Sequence, residues 1–236
     1  MLIVIEKRIL RALAGLGCVL LVLTLLPAEK ERQAVSAAVR FPHMLVIDPG
    51  HGGEDGGALA ADGTKEAEIN LAIALRLQDL CYLSGIETAM TREEDISIHT
   101  QGDSIRARKA SDIRNRVAFV NGFSDPVLVS IHQNALPQAK SVHGAQVFYN
   151  SGEEAYELAK MLQMQLNESI NTDREKACRA IDGAVYLMNH AACPGVLVEC
   201  GFLSNETDTA KLKTDEHQKK IAMTVAAGYL TWRCGT

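Results

Sequence analysis

The chain has 236 residues, of which 47% are hydrophobic, so it is long enough to fill one well-packed core. Its 24 Lys and Arg residues against 29 Asp and Glu residues give a formal net charge of -5. Surfaces that bind nucleic acid normally carry a basic excess, so no nucleic-acid partner is expected. One basic cluster is interspersed with acids on a predicted helix, which is typical of a solvated helix face: Arg106, Arg108, Lys109, Arg114 and Arg116 with Asp103 and Asp112.

The N-terminal segment has the layout of an export signal. Three basic side chains precede an uncharged apolar run that extends from Ala12 to Ala28. This arrangement is typical of a signal peptide, and a retained signal-anchor helix is the alternative. We therefore predict a signal peptide or membrane anchor over residues 1–28 and a polar linker over 29–42. The exported, extracytoplasmic domain is predicted to span residues 43–236.

Beyond the linker, short apolar runs alternate with stretches of helical periodicity. Strands are predicted at 43–48, 86–91, 126–131, 145–149, 184–188 and 195–200. Helices are predicted around Ile69, Ile73, Leu77 and Leu80 with Gly85 as the C-cap, over 103–121, over 153–170, and around Ile221, Val225 and Trp232. This alternation predicts a single α/β domain with a mostly parallel twisted sheet flanked by helices, preceded by the N-terminal hydrophobic helix.

Six cysteines are present, which is compatible with disulfides in an exported protein, although removal of the signal would leave five. No C-x-x-C pair occurs, so a zinc site built from cysteines is not expected. Most of the cysteines are expected to be small buried apolar residues. Cys178 with Cys193 is the one disulfide that we consider.

Three predicted strands end in side chains that can bind a metal or move a proton. His51 follows "LVIDPG", His132 follows "VLVSI", and Glu199 ends the run "VLVE". Functional groups of parallel sheets gather at the carboxyl ends of the strands, so these residues should meet at one rim. The glycines around His51 in "VIDPGHGGEDGG" would let the chain turn sharply off its strand.

Two imidazoles and a carboxylate are a ligand set that catalytic zinc uses, with a further position open to water. The helical H-E-x-x-H motif is absent, so such a site must be assembled from separate loops. Spacing alone does not select the carboxylate, and the candidates are Glu54, Asp55, Glu66 and Glu68. Glu199 lies in an apolar strand, where burial raises the pKa of a carboxyl and suits it to act as a general base.

Four motifs carry a resemblance to a known family: "VIDPGHGGEDGGA", "KEAEINLAIALRL", "SIHQNA" and "VLVECGFLSN". Together they resemble the zinc-dependent N-acetylmuramoyl-L-alanine amidases of the bacterial cell wall, the Amidase_3 type. The resemblance covers about residues 43–232. Two further stretches, "MTREED" and "SIRARKASDIRNRVAFVN", resemble the germination-specific, spore-cortex branch of that family.

Carried over by position, the resemblance implies that His51, Glu66 and His132 bind Zn²⁺ and that Glu199 is the catalytic carboxylate. This chain has Ala67 where the family's motif has lysine after the glutamate, which keeps Glu68 as the alternative to Glu66. Three further residues have predicted supporting roles. Asp48 would hydrogen-bond a ligating histidine and fix its tautomer, Arg116 would be structural or face the substrate, and His143 would lie on the rim.

The implied reaction is hydrolysis of the amide between the lactyl group of N-acetylmuramic acid and L-alanine of the peptidoglycan stem. The branch implies a role in sporulation and germination, in which removal of stem peptides permits formation of muramic-δ-lactam in the spore cortex. The expected partners are peptidoglycan and an accessory exported protein, with the membrane as a further partner if the N-terminal segment is retained.

Three alternative interpretations remain. A nucleotide-binding protein is disfavoured because neither G-x-G-x-x-G nor G-x-x-x-x-G-K-[ST] is present. A non-catalytic wall-binding module is disfavoured because the His, Glu, His and Glu set is intact. A zinc peptidase acting on the stem peptide uses the same chemistry, so only the reaction products distinguish it from an amidase.

Overall fold

The central sheet is built from the short apolar runs of the sequence. In the computed structural model, which describes residues 44–235, the strands are β1 (Met44–Pro49), β2 (Thr88–Met90), β3 (Pro126–Asn134), β4 (Gln146–Tyr149), β5 (Arg179–Ala180) and β6 (Gly195–Phe202). Their order is β2-β1-β3-β6-β4-β5. All neighbouring pairs are parallel except β4 and β6, which are antiparallel. The predicted single α/β domain with a mostly parallel sheet is confirmed.

Helices cover both faces of the sheet. They are α1 (Glu66–Leu83), α2 (Ile105–Asn121), α3 (Glu153–Ser169), α4 (Tyr186–His190), α5 (Glu206–Leu212) and α6 (Asp215–Gly235). Successive residues of a strand point to opposite faces, so Leu45 and Ile47 join the larger core with α1, α3 and α6. Val46 points the other way into a smaller core with Val120 of α2 and Met188 of α4.

The prediction of a strand at 184–188 is wrong. Residues Tyr186–His190 form α4, and its Leu187 and Met188 are buried in the smaller core. A short apolar run has no periodicity that separates a buried strand from a single buried helical turn. The other predicted strands and helices are present, with bounds that differ by a few residues.

Helix α1 is capped one residue before the predicted cap at Gly85. Its cap residue is Ser84, and the following Gly85 has a φ of 73°, the left-handed conformation that glycine adopts without steric cost. The last turn is thereby closed, and the chain enters β2.

The cysteines of the described region are free thiols. Cys81 and Cys200 are buried, as expected, and Cys178 and Cys193 are not joined, so the disulfide that we considered is absent. Within residues 44–235, no helix combines the length and the hydrophobicity needed to cross a membrane. The predicted signal or anchor at 1–28 and the linker at 29–42 lie outside the described residues.

Candidate metal centre

The sheet order explains why distant residues meet. Strands β1, β3 and β6 are adjacent and parallel, so their carboxyl ends share one rim. His132 and Glu199 are direct cross-strand partners, and Pro49, two residues before His51, pairs with Ile131. Glu66 begins α1, which packs against β1 and β3 and starts at the same rim.

One carboxylate lies between the two imidazoles. Oε1 of Glu66 is 3.3 Å from Nε2 of His51 and 2.9 Å from Nδ1 of His132. The ligand atoms of these three residues all lie within 4.8 Å of one another, and the two histidine rings are 5.1 Å apart at an angle of 77°. The structure therefore brings Glu66, and not Glu68, to the two histidines.

This cluster fits a tetrahedral cation. Zinc with bonds of about 2.0–2.1 Å separates its ligand atoms by about 3.4 Å, close to the two distances measured from Glu66. Burial alone would raise the pKa of Glu66, but hydrogen bonds with His132 and His51 hold it well below the usual range of a carboxyl. Glu66 is therefore an anion at neutral pH, as a metal ligand must be.

A second carboxylate orients the first histidine. Asp55 Oδ2 lies 2.9 Å from Nδ1 of His51, while its Oδ1 pairs with Lys109 Nζ at 2.7 Å. When Nδ1 donates its proton to Asp55, the lone pair of Nε2 points toward Glu66. Although burial lowers the pKa of His51, its hydrogen bonds with Asp55 and Glu66 raise that pKa to about 9.

The loop around His51 lets the side chains of His132 and Glu66 lie directly against its backbone. His51 has a φ of 62°, an uncommon conformation for a residue with a side chain. A Cβ added to Gly50 would lie 2.1 Å from the ring of His132, so only glycine fits beneath that ring. A Cβ at Gly57, whose φ is 69°, would lie 2.6 Å from Glu66 Oε2. These two glycines thus leave the space that the side chains of His132 and Glu66 occupy.

A buried arginine holds this loop in place. Arg116 of α2 donates to Asp48 Oδ1 at 2.7 Å, to the Pro49 carbonyl at 2.9 Å and to the His51 carbonyl at 2.7 Å. It also donates to Asp112 at 2.7 Å and to Thr91 at 3.4 Å, and its side chain is 2% exposed, so these contacts fix the loop.

Within residues 44–235, Asp48 makes no hydrogen bond to a histidine, contrary to the prediction. Its carboxylate oxygens accept hydrogen bonds from Arg116, Thr91 and Ser130. Burial raises the pKa of Asp48, but these partners together lower it to about 2. Asp48 is therefore linked to the backbone of His51 through Arg116.

Two supporting residues, Arg92 and Asn70, are absent from the sequence-based prediction. Arg92 donates to the carbonyls of Pro49, Gly50 and Ala67. Asn70 donates to the Gly50 carbonyl and to Glu66 Oε1, 3.1 Å and 3.2 Å away. Asn70 follows Glu66 by four residues, one helical turn, and that spacing was a usable signal.

Glu199 lies on β6 beside the cluster, and its environment differs from those of Glu66 and Asp48, whose carboxylates are hydrogen-bonded. Its Oε2 is shielded from solvent and has no hydrogen-bond partner in the described part of the chain. Burial raises the pKa of Glu199 to about 7, with the charge of His132 acting in the opposite direction. A carboxyl with this pKa can both accept and return a proton near neutral pH.

The remaining candidates lie outside the cluster. Glu68 is exposed beside Lys65, and Glu54 pairs with Arg108 at 2.6 Å. His143 is exposed, with Nε2 of its ring 2.8 Å from Asp173 and Nδ1 2.9 Å from the Ser141 carbonyl. None of these three is within the His51, Glu66 and His132 group.

Two open spaces adjoin the rim. A small cavity of about 120 Å³ is lined by His51, His132 and Lys109, among others. A larger groove has a volume of about 530 Å³. Its lining includes Leu59 and the residues directly after β3 and β6, Ala135 and Leu203. An extended substrate therefore has room beside the cluster.

Comparison with known proteins gives a consistent result. The Amidase_3 family, described as N-acetylmuramoyl-L-alanine amidase, matches residues 45–230. The germination-specific N-acetylmuramoyl-L-alanine amidase of Bacillus subtilis is 35% identical over 190 residues, which cover 80% of this chain and 79% of that protein. The uncharacterized protein YqiI of the same organism is 30% identical over 225 residues, covering 94% of this chain and 96% of that protein.

Solved structures agree with these sequence relatives. The CwlD amidase of Clostridioides difficile, solved in complex with the GerS lipoprotein, superposes with a TM-score of 0.78 at 33% identity, covering 82% of this chain and 100% of that one. An N-acetylmuramoyl-L-alanine amidase of Clostridium difficile 630 superposes with a TM-score of 0.69 at 26% identity, covering 80% and 96% of the two chains. The chain is therefore a hydrolase that belongs to the Amidase_3 family of N-acetylmuramoyl-L-alanine amidases.

Proposed function

We propose that this protein is a zinc-dependent amidase that cleaves the bond between N-acetylmuramic acid and L-alanine in peptidoglycan. The observation that carries the proposal is the convergence of His51, Glu66 and His132 beside Glu199. Three ligands and a neighbouring unpaired carboxylate are the minimal set for metal-assisted amide hydrolysis.

His51 Nε2, His132 Nδ1 and a Glu66 oxygen would hold the ion, and their nitrogen and oxygen donors suit zinc. A zinc ion held there would supply Lewis-acid activation of water and of the amide carbonyl. Asp55 keeps His51 in the tautomer that such binding requires.

Glu199 would move the proton. Its unpartnered Oε2 is free to accept a proton from the attacking water and to return it to the departing amine of L-alanine. The raised pKa of about 7 supports this dual role, because the protonated and ionised forms are then both accessible near neutral pH.

The cellular role that we propose is in the spore cortex. One relative is named a germination-specific amidase, and its match covers most of both chains. Removal of stem peptides by this enzyme would precede muramic-δ-lactam formation. Export through residues 1–28, as a cleaved signal or a retained anchor, would deliver the domain to the extracytoplasmic peptidoglycan.

We also propose that an accessory exported protein binds this enzyme, because the similar CwlD structure was solved with the GerS lipoprotein. Zinc content and cleavage rate of the purified protein alone provide the test. Full zinc occupancy and full activity without any other protein would show that no partner is required.

The reaction is tested by mass spectrometry of peptidoglycan after incubation with the purified enzyme, with and without a chelator. The expected products are intact stem peptides beginning with L-alanine and glycan strands with free lactyl groups, and chelation should remove both. Stem peptides cut between amino acids would identify a peptidase instead, and absence of any cleavage by the zinc-loaded enzyme would refute a catalytic role.

A further inference from the structure

Lys176 lies at the rim of the site, on the segment between α3 and β5. Its Nζ donates to the Gly144 carbonyl at 2.7 Å and lies 4.6 Å from the centre of the Phe202 ring. Gly144 precedes β4 and Phe202 ends β6, and these antiparallel strands place Gln146 directly opposite Glu199. Lys176 therefore occupies the same rim as Glu199.

The ammonium group of Lys176 is half-buried without a neutralising partner. Among residues 44–235, no carboxylate lies within ion-pair distance of its Nζ. The nearby Asp208 directs Oδ2 to the backbone N–H groups of Gly144 and Phe202. Burial lowers the pKa of Lys176 to about 8, with the charge of Asp208 opposing the shift. A cation held in this way is ready to accept an anionic group.

The order of residues along the rim indicates which part of a substrate would meet Lys176. The strand order places His51 on β1, His132 on β3, Glu199 on β6 and Lys176 beside the junction of β6 and β4. Glu199 returns a proton to the departing amine, and that amine belongs to the peptide. A peptide that extends from Glu199 on the side away from His51 would therefore meet Lys176.

We propose that Lys176 is a substrate-binding residue that pairs with a carboxylate on the peptide side of the scissile amide, on the residue that follows L-alanine. The inference rests on the proposed amidase function and adds a specificity to it. The enzyme should prefer stems in which this carboxylate is free over stems in which it is amidated.

A different role for Lys176 is purely structural, in which its stem covers Phe202 and its charge contacts the ring. That role predicts no dependence on the charge of the substrate. The experiment must therefore vary the substrate and the residue together.

Steady-state kinetics would be measured for wild type, Lys176→Gln, Lys176→Arg and Lys160→Gln on two glycan fragments. One fragment carries L-alanyl-D-glutamate with a free α-carboxylate, and the other carries its α-amide. Lys160 is the matched control because it also lies over an aromatic ring, that of Tyr156 at 5.9 Å, on α3.

We expect wild type to have a KM about tenfold or more lower for the carboxylate fragment, the effect of one charge-assisted hydrogen bond. Lys176→Gln should remove that preference by raising KM for the carboxylate fragment alone, with kcat little changed. Lys176→Arg should retain the preference, and Lys160→Gln should behave as wild type.

Equal losses on both fragments in Lys176→Gln, or an unchanged preference, would overturn the inference in favour of a structural role or none. A preference that vanished in Lys176→Gln but not in Lys176→Arg would support it even if the Gln variant were less stable. Failure of the wild-type enzyme to release peptide from either fragment would instead refute the amidase function, and this inference with it.

Discussion

Strands β1 and β6 each carry a carboxyl group near the rim, and the pKa values of the two groups are shifted in opposite directions. Asp48 on β1 is surrounded by Arg116, Thr91 and Ser130, and its pKa falls to about 2. Glu199 on β6 has an oxygen with no partner, and its pKa rises to about 7. Burial raises the pKa of both, so the difference is due to the hydrogen-bond partners and the nearby charge.

This difference suits the two carboxyl groups to different tasks at the same rim. The ion pair of Asp48 and Arg116 fixes the backbone that carries His51, and a permanently ionised carboxylate serves that purpose. A proton carrier must change its charge state during each turnover, so it must remain unpaired.

The largest effect is expected for Glu199→Gln, which keeps the size of the side chain but cannot take up a proton. Cleavage of peptidoglycan should fall by about 10²–10⁴-fold, the usual contribution of general acid–base catalysis, while zinc content stays at the wild-type level. The measurement is the rate of stem-peptide release together with metal analysis of the same sample.

The matched control for this variant is Glu68→Gln, because Glu68 is exposed on α1 and outside the cluster. It should cleave at the wild-type rate. A Glu199→Gln enzyme with more than a tenth of wild-type activity would exclude Glu199 as the proton carrier.

The next largest effect is expected for Arg116→Met, which removes the ion-pair partner of Asp48. The substitution leaves Asp48 buried and ionised without its cation, which should cost about 3–5 kcal/mol in the free energy of unfolding. Combining it with Asp48→Asn removes the stranded charge and should restore part of that loss. Urea unfolding of both variants measures the two values.

Arg114→Met is the control on the same helix, since Arg114 is exposed. It should change the free energy of unfolding by about 0.5 kcal/mol or less. If the double variant were as unstable as Arg116→Met alone, the ion pair would not be the source of the loss.

The environments of Asp48 and Glu199 also differ in how well the sequence predicts them. An apolar run that ends in one acid predicts Glu199, because the carboxyl ends of parallel strands share one rim. The partner of Asp48 was not predicted, because Arg116 is 68 residues away and meets Asp48 only through the packing of α2 on the sheet. Contacts of this kind depend on tertiary geometry that local patterns do not contain.

The choice between Glu66 and Glu68 is intermediate, because the sequence narrows the metal ligand to a few acidic residues without selecting one. Both are in the first turn of α1, and composition does not separate them. The structure does, since Glu66 lies on the buried face of α1 with Asn70, Ile73 and Leu77, and Glu68 does not. The strand predicted at 184–188 is wrong because five apolar-rich residues are too few to show whether the period is that of a strand or of a helix.

A smaller effect is expected for Asp55→Asn, which weakens the hydrogen bond that orients His51. Loss of such a partner of a ligating histidine should lower zinc affinity by about 10–100-fold. The measurement is competition with a chelator of known affinity. Glu54→Gln, beside Asp55 but paired with Arg108, is the control and should bind zinc as wild type does.

The smallest effect concerns the pH dependence of stability in the metal-free protein. The folded-state pKa of Glu199, about 7, is above the ordinary value of 4.5, so the unfolded chain releases this proton first as pH rises. Below about pH 4.5 the carboxyl is neutral in both states and has no effect; between about 4.5 and 7 the folded state loses stability; above 7 the loss is constant.

Each pKa unit corresponds to about 1.4 kcal/mol, and partial exposure of the side chain reduces the total, so we expect a loss of the order of 1–2 kcal/mol. Glu199→Gln lacks the titrating group, and the difference in unfolding free energy between variant and wild type should therefore grow in the variant's favour from pH 5 to pH 8. Urea unfolding at both pH values provides the measurement. A difference that stayed constant would mean that Glu199 already has a solvent-like pKa, and the contrast with Asp48 would then rest on Asp48 alone.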